Sequence, residues 1–347
     1  MSIKRMELTG LTAFERATFE FVPGINVLLG ANSTGKTHAL KWLYASVKAL
    51  ELPVLKGEVA PERIFRKVPA VFLPEERRIG RMRRHGESTS LASVAIDGDE
   101  GAIGYSLTSG DGMSARGDLR WKATAPTVFL PSREVLALYE GFVAAYTNRE
   151  LSIDETYFDA CVALNASLLR GPRAEVAKPF VESVEALLGG KVELVGERFY
   201  VTFNEAPSTR LEAHLVAEGL RKIASIVRLL QNGSIAPGGL LIWDEPEANL
   251  NPRLVAALVP ILEALAKAGV QIVLATHDYI LTKRLSLISE ADSPDRPPVK
   301  FFLLSRAQAG APVEVTSART LIELPRTPMD EEFLRLYDDE VKAFRGE

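Results

Sequence analysis

The chain has 347 residues, of which 47% are apolar and 25% are charged; this is ordinary for a globular protein and excludes wholesale disorder. The formal net charge of −4 excludes a globally basic nucleic-acid coat but leaves room for a local basic patch. The single cysteine, Cys161, excludes an intrachain disulfide. The sequence has no apolar leader and no membrane-length apolar run, so we expect a cytoplasmic protein.

The first 50 residues have the order strand, loop, helix. Apolar and polar residues alternate over Ile3–Leu8 and Ala17–Phe21, which predicts two edge strands, whereas the apolar run Ile25–Leu29 is typical of a buried strand. Apolar residues then recur at helical spacing over Lys36–Leu50. A glycine-rich segment therefore joins a buried strand to a helix.

Residues 51–135 have a different pattern, which predicts a β-rich arm or lid. Short apolar pieces are separated there by Gly, Asp and Arg clusters, as in a meander of short antiparallel strands. The predicted strands include Ala70–Leu73, Leu91–Ile96 and Thr127–Leu130.

A helical insertion is expected over residues 136–199. Its first helix is predicted to begin at the capping box Ser152-x-x-Glu155 and to end at Gly171. A second helix is predicted over about Ala174–Leu188, before Gly189–Gly190.

The last third alternates strand and helix. Gly239–Trp243 and Val270–Ala275 are predicted buried strands that flank a helix over Pro252–Ala268. This alternation predicts a parallel sheet. We expect an α/β core made of residues 1–50 and 200–305, including a strand at Val299–Leu304. Residues 306–347 form a C-terminal extension whose helix starts at Thr327–Pro328.

Residues 30–37 read GANSTGKT and match the phosphate-binding pattern G-x-x-x-x-G-K-[ST] between a buried strand and a helix. The glycines let backbone N–H groups point inward, Lys36 reaches the phosphates, and the Thr37 hydroxyl is a ligand for Mg²⁺. The predicted nucleotide-binding residues are Gly30, Ala31, Asn32, Ser33, Thr34, Gly35, Lys36, Thr37 and His38.

Polar residues follow the two buried strands of the last third. Asp244 and Glu245 end the first of them, where a carboxylate emerges beside the phosphate loop. Asp244 is the predicted metal residue and Glu245 the residue that polarises the attacking water. Thr276, His277 and Asp278 follow the second strand, and His277 is the candidate sensor of the γ-phosphate. The predicted catalytic set is Glu245, His277 and Lys36.

The segments GINVLLGANSTGKT, WDEPEANLNP and ATHD resemble the nucleotide-binding head of ABC and SMC-type P-loop ATPases. The resemblance is greatest to the RecF-like and overcoming-lysogenization-defect-like stand-alone prokaryotic ATPases, and it covers about residues 1–50 and 200–305. It implies ATP and Mg²⁺ as cofactors, and a dimer or higher homo-oligomer. It also implies that Ala248–Pro252 is the D-loop and that His277 is the switch histidine.

Two motifs depart from that family. Its LSGGQ signature, which contacts the nucleotide of the opposite subunit, corresponds here to VAEGLRKIASIVRLL. Gly219 keeps the second glycine, while Ala217 replaces the serine and Glu218 the first glycine; an ordinary amphipathic core helix is the alternative. The Q-loop glutamine is missing, and its nearest equivalent is the turn Pro131–Glu134, where Ser132 or Glu134 could approach the metal.

A basic stretch runs from Arg63 to Arg84 and gives two alternatives. Arginines suit phosphate contacts, so the stretch could bind a nucleic-acid backbone or an acidic partner; otherwise it is a solvated loop that pairs with Glu75 and Glu76. No aromatic residue interleaves with the densest part of the stretch, so base stacking is not indicated there. The candidate residues are Arg77, Arg78, Arg81, Arg83 and Arg84.

The leading hypothesis is a Mg²⁺-dependent ATPase that dimerises around nucleotide and works on nucleic acid in DNA repair or antiviral defence. The alternative is a slow, nucleotide-gated scaffold that assembles or restrains a separate effector protein. A transporter ATPase subunit ranks last, because the Q-loop glutamine and an intact signature are both missing.

Overall fold

The computed structural model describes residues 2–51, 60–86, 90–96, 102–107, 113–116, 125–291, 293–308 and 310–345. The α/β fold class is confirmed, with two large sheets, one small sheet and helices packed between and around them. No helix in these ranges is long and apolar enough to span a membrane.

The central sheet has six strands, and its core is parallel. Four of its strands are buried along their whole length, which is typical of a sheet covered on both faces. The edge strand β14 alone runs antiparallel. In spatial order the strands are β14 (Glu314–Ala318), β13 (Val299–Ser305), β3 (Ile25–Leu29), β12 (Gln271–Ala275), β11 (Leu240–Asp244) and β7 (Thr127–Leu130).

A second, antiparallel sheet has five strands. In spatial order they are β2 (Phe14–Glu20), β1 (Ile3–Leu11), β4 (Leu91–Ile96), β5 (Ala102–Leu107) and β6 (Met113–Arg116). Helix α1 (Lys36–Glu51) contributes Trp42 and Tyr44, both fully buried, to the apolar core that this sheet shares with one face of the central sheet. Helix α2 (Ala60–Phe72) packs on α1.

The other face of the central sheet is covered by helices, which share a second apolar core with it. A small antiparallel sheet of β8 (Gly190–Val195), β9 (Arg198–Phe203) and β10 (Arg210–Glu212) adjoins them. The remaining helices are α3 (Phe142–Thr147), α4 (Glu155–Asn165), α5 (Pro172–Leu188), α6 (Glu218–Gln231), α7 (Pro252–Lys267), α8 (Tyr279–Glu290) and α9 (Pro328–Arg345).

The predicted meander is corrected at both of its ends. Ala70–Leu73 is not a strand, because helix α2 extends to Phe72. Thr127–Leu130 is a strand, but it pairs in parallel with β11 and so belongs to the central sheet. Short apolar runs do not separate buried helix from strand or reveal a distant partner. The strand predicted at Leu91–Ile96 is present as β4.

The predicted helix from Ser152 to Gly171 was wrong at both ends. The N-cap of α4 is Asp154, whose carboxylate accepts a hydrogen bond from the backbone N–H of Thr156, and the helix ends at Asn165. Gly171 instead precedes α5, which begins at Pro172. Asp is as good an N-cap as Ser, so two overlapping cap patterns competed in the sequence.

Candidate functional site

The site lies where three neighbouring parallel strands end. Strands β3, β12 and β11 are adjacent, so the loops that follow them meet at one edge of the sheet. Asp244 ends β11, His277 follows β12, and Lys36 begins the helix after the loop that follows β3. Crevices outside the carboxyl ends of parallel strands are the usual ligand sites of such sheets.

The loop from Gly30 to Thr37, the phosphate loop, has the backbone that the motif requires. Gly30 has a φ of 147°, and a Cβ there would lie 2.3 Å from the carbonyl oxygen of Leu304. Gly35 has a φ of 91°, and its Cβ would lie 2.9 Å from that of Ala13. Neither position accepts a side chain, which gives both motif glycines a physical reason.

Lys36 closes the phosphate loop on itself. Its buried ammonium donates hydrogen bonds to the carbonyl oxygens of Gly30 at 2.8 Å and Ala31 at 3.0 Å. Burial lowers the pKa of Lys36, and the nearby carboxylates of Glu245, Asp244 and Glu247 oppose that shift. A phosphate would offer this cation stronger acceptors than two neutral carbonyls.

Thr37 and Asp244 form the candidate metal site. The Thr37 hydroxyl donates to Asp244 Oδ2 at 2.9 Å, while Asp244 Oδ1 is buried without a hydrogen-bond partner. Burial raises the pKa of Asp244 to about 6. An unpartnered buried carboxylate oxygen beside a hydroxyl suits a hard cation.

No group of three or more His, Cys, Asp and Glu side chains that could hold a metal ion occurs within the described ranges. Mg²⁺ keeps several waters and is usually bound by one or two carboxylates together with substrate phosphates. Thr37 and Asp244 are therefore the residues that would hold it.

Glu245 and His277 face each other across the ends of β11 and β12. His277 Nδ1 lies 3.5 Å from Glu245 Oε1, and both side chains are partly exposed. The φ of Glu245 is 49°, uncommon for a residue with a side chain. Its carbonyl oxygen accepts a hydrogen bond from the buried Lys222 Nζ at 3.0 Å. The strained backbone is thus tied to α6, and such strain is concentrated at functional sites.

Glu247 is a functional candidate that the sequence analysis missed. Its buried Oε1 accepts hydrogen bonds from the Thr276 hydroxyl at 2.7 Å and from the His277 backbone N–H at 3.1 Å. Burial raises the pKa of Glu247, and its Oε2 has no hydrogen-bond partner in the described structure. The sequence signal that could have identified Glu247 is its place as the third acidic residue of the segment DEPE, residues 244–247.

Gly219 lies buried at the start of α6, against the D-loop of its own chain. A Cβ on Gly219 would lie 2.5 Å from the carbonyl oxygen of Asn249 and 2.9 Å from a methyl carbon of Leu250. Ala217 is the N-cap of α6 and forms no side-chain cap hydrogen bond. Gly219 is therefore required for packing within the chain, independently of any contact with a nucleotide.

Glu134, the candidate for the Q-loop position, is engaged by α6. Its buried Oε1 lies 2.6 Å from Arg221 Nε, and its Oε2 accepts a hydrogen bond from the Ala137 backbone N–H. The pair joins the turn after β7 to helix α6. Ser132 lies in the same turn and is partly exposed.

His38 is placed beside α2, since its ring centroid lies 5.9 Å from that of Phe72. Of the other loop residues, Ala31, Asn32 and Ser33 are exposed, whereas the Thr34 hydroxyl donates to the Ala31 carbonyl oxygen.

The basic stretch divides into an interior part and a surface part. Arg63 and Lys67 are buried, and Lys67 pairs with Glu155 at 3.0 Å, so neither belongs to a surface patch. Arg81 pairs with Glu75 and Arg78 lies 4.0 Å from Glu76, as the solvated-loop alternative predicted. Arg84 donates hydrogen bonds to two backbone carbonyl oxygens, and Arg83 also has an interaction partner. Arg77 is exposed.

A cavity of about 540 Å³ opens beside the phosphate loop. Its wall includes Asn32 and His277 on one side and Phe333 of α9 on the other. The Phe333 ring centroid lies 4.0 Å from that of Tyr279, and Lys283 pairs with Asp330 at 3.2 Å. The C-terminal helix therefore borders the candidate site.

A family model described as "AAA domain, putative AbiEii toxin, Type IV TA system" matches residues 136–282. The sequence matches no curated protein.

Solved structures of SMC heads resemble almost the whole chain. An SMC head bound to the C-winged helix domain of ScpA has a TM-score of 0.58 at 14% identity, covering 93% of this chain and 99% of that one. A head domain with an extended coiled coil, bound to the C-terminal domain of ScpA from Pyrococcus furiosus, has a TM-score of 0.54 at 14% identity over 98% and 99%. The Thermotoga maritima head has a TM-score of 0.50 at 13% identity over 91% and 99%. The chain therefore has the P-loop ATPase fold of the ABC and SMC type.

Proposed function

We propose that this protein is a Mg²⁺-dependent ATPase of the cytoplasm that dimerises around nucleotide and acts on nucleic acid, in DNA repair or antiviral defence. The observation that carries the ATPase assignment is the pairing of Thr37 with Asp244 at 2.9 Å, next to an unpartnered buried carboxylate oxygen. Lys36 would bind the phosphates, while Thr37 and Asp244 would hold Mg²⁺.

Glu245 is the residue that orients and polarises the attacking water. Its carboxylate is partly exposed and lies 3.5 Å from His277 Nδ1, and its backbone carbonyl is held by Lys222. His277 is near enough to the same carboxylate to report the state of the γ-phosphate. When bound, Mg²⁺ neutralises charge on the transferred phosphoryl group.

Dimerisation rests on the surface formed by the start of α6 and the D-loop. Gly219 brings these two segments into contact, so a nucleotide that bound to one of them across a dimer would also act on the other. The replacement of the signature serine by Ala217 removes one hydroxyl donor. We therefore expect weaker closure and slow turnover.

The proposal that the protein acts on nucleic acid comes from the resemblance to RecF-like and related ATPases, because one fold can serve many functions. The candidate contact residues are the exposed Arg77, Arg78 and Arg81 and the half-buried Arg83 and Arg84.

A nucleotide-gated scaffold is the second candidate, and α9 favours it. This helix borders the cavity beside the phosphate loop and leaves large apolar side chains exposed, including Leu336, Tyr337 and Phe344. Two of the similar SMC heads are bound to a domain of the protein ScpA. A separate effector that bound α9 would be close to the nucleotide.

The test compares wild type with Glu245→Gln, measuring ATPase rate and molecular mass with and without ATP and Mg²⁺, and with double-stranded DNA added. Turnover raised by DNA, with a nucleotide-dependent dimer in the variant, supports the proposal. A low ATPase rate that does not change when DNA is added, together with an oligomeric state that does not depend on nucleotide, favours the scaffold. Absence of ATP binding to wild type overturns both.

A further inference from the structure

A cleft of about 860 Å³ lies apart from the phosphate loop, with none of the candidate catalytic residues in its wall. One wall comes from the end of α2 and the turn after it, and includes Leu73, Glu76 and Arg77. The other comes from residues 146–158 and includes Arg149. Its volume is within the range of about 300–1,000 Å³ that is usual for ligand sites.

Backbone strain is concentrated at this cleft. Eight non-glycine residues in the described structure have positive φ angles, and three of them are at the nucleotide site or D-loop. Four others line the cleft; Leu73, Glu76, Arg77 and Arg149 have φ angles of 49°, 53°, 56° and 62°. Such strain persists where surrounding structure enforces it, and it is common at binding sites.

The cleft presents two arginines whose charge is not used in ion pairs. Arg77 and Arg149 are exposed, on opposite walls, and neither guanidinium forms an ion pair with another described residue. Four glutamates also line the cleft. Glu75 pairs with Arg81 at 2.8 Å and Glu155 with Lys67 at 3.0 Å, whereas Glu150 is exposed and lies next to Arg149 in the chain. Two unpaired guanidinium groups suit phosphate oxygens, which they can bind through two parallel hydrogen bonds.

Aromatic rings complete the second wall. The Tyr146 and Phe158 rings are stacked, with centroids 4.6 Å apart and planes 24° apart, and both line the cleft. Phe142 is buried behind this wall and does not line the cleft; its ring centroid lies 6.3 Å from that of Tyr146, with planes 18° apart. The Tyr146 and Phe158 rings, which are distant in sequence from Arg77, therefore lie in the same cleft as that arginine.

We propose that this cleft binds single-stranded nucleic acid, with backbone phosphates on Arg77 and Arg149 and an unpaired base against the Tyr146–Phe158 stack. The proposal rests on the proposed function, because it identifies where that ATPase contacts nucleic acid. Cationic side chains combined with an aromatic surface are how proteins bind single strands without sequence preference. An acidic peptide would use the arginines but not the rings.

The test measures binding of a fluorescent 12-nucleotide single-stranded DNA by anisotropy, over a series of salt concentrations. The variant Arg77→Ala/Arg149→Ala should bind about 10-fold or more weakly, and the slope of log affinity against log salt should fall by about 0.7 for each lost phosphate contact to a single strand. The control, Arg319→Ala/Arg326→Ala, removes two exposed arginines outside the cleft and should bind like wild type. Tyr146→Leu should weaken binding with the salt slope unchanged.

Equal loss of affinity in the cleft and control variants overturns the proposal, as does a wild type that binds no oligonucleotide. A labelled poly-glutamate peptide that binds more tightly than the DNA also overturns it, in favour of a protein partner. ATP binding, measured on the same samples, separates this result from the proposed function: wild type that hydrolyses ATP but binds no DNA leaves the ATPase assignment intact.

Discussion

The hydroxyl of Thr37 lies 2.9 Å from the carboxylate of Asp244, although 207 positions separate the two residues. Thr37 lies in the first turn of helix α1, and Asp244 ends strand β11. Their contact exists because β3 and β11 flank β12 in a parallel register, so that both chain segments leave the sheet at the same edge. Under the proposed function, this contact brings together the two side chains that would hold Mg²⁺.

Replacing Lys36 with alanine is expected to weaken ATP binding about 100-fold, because hydrogen bonds from a charged donor contribute about 1.5–3 kcal/mol each. Isothermal titration calorimetry with ATP and Mg²⁺ measures this. Lys267→Ala is the matched control, since that lysine pairs with Glu263 on exposed α7 surface. Unchanged affinity in Lys36→Ala would remove the phosphate-loop assignment.

Glu245→Gln is expected to bind ATP normally and to hydrolyse it about 10²- to 10⁴-fold more slowly, the range that a positioned general base contributes. The amide keeps the shape of the side chain but cannot accept a proton. A single-turnover assay of phosphate release checks the rate, with Glu263→Gln as control. A wild-type rate in Glu245→Gln would mean that another group activates the water.

Glu247→Ala is expected to lower the turnover number while ATP affinity stays within about twofold. The change leaves the Thr276 hydroxyl and the His277 backbone N–H without their buried acceptor, which costs about 1–3 kcal/mol for each donor and displaces His277. Steady-state kinetics and denaturation together measure both effects. Normal turnover in a correctly folded Glu247→Ala would show that His277 is positioned by other contacts.

Asp244→Asn is expected to stabilise the metal-free protein at pH 8. The pKa of Asp244 is raised to about 6 by burial, from an ordinary value of 3.8, so the ionised carboxylate destabilises the fold above pH 6. This penalty fades as the pH falls toward 4. The shift corresponds to about 3 kcal/mol at pH 8 and about 1 kcal/mol at pH 4.5.

Urea denaturation of wild type and Asp244→Asn at the two pH values, with EDTA present, measures the change. Adding Mg²⁺ and ATP should reverse the order of stability at pH 8, because only the carboxylate binds the ion. An equal difference at both pH values would contradict the raised pKa.

Gly219→Ala is expected to destabilise the fold by about 1–3 kcal/mol, the usual cost of inserting atoms into a packed interior. The added Cβ would lie 2.5 Å from the Asn249 carbonyl oxygen, so α6 or the D-loop must move. Gly104→Ala is the control, since a Cβ there has no neighbour closer than 3.8 Å. The measurement is the denaturation midpoint of each variant. Equal midpoints would show that the D-loop moves to accept the added Cβ without loss of stability.

Local patterns predicted the parts of the fold that depend on neighbouring residues in the chain. The apolar run Ile25–Leu29, the glycines of the phosphate loop and the helix after Pro252 all lie where their spacing placed them. By contrast, Thr127–Leu130 was predicted as a strand but with the wrong partners. A strand's hydrogen bonds go to another segment, which its own residues do not identify.

The sequence by itself determined the phosphate loop, the acids after β11 and the α/β class, because each depends on backbone geometry and periodicity within a few consecutive residues. Only the tertiary structure decided that Glu247 holds Thr276 and the backbone of His277, that Gly219 packs on its own D-loop, and that aromatic rings lie opposite Arg77. Those relationships join residues that are distant in the chain, and packing of the sheets and helices alone brings them into contact.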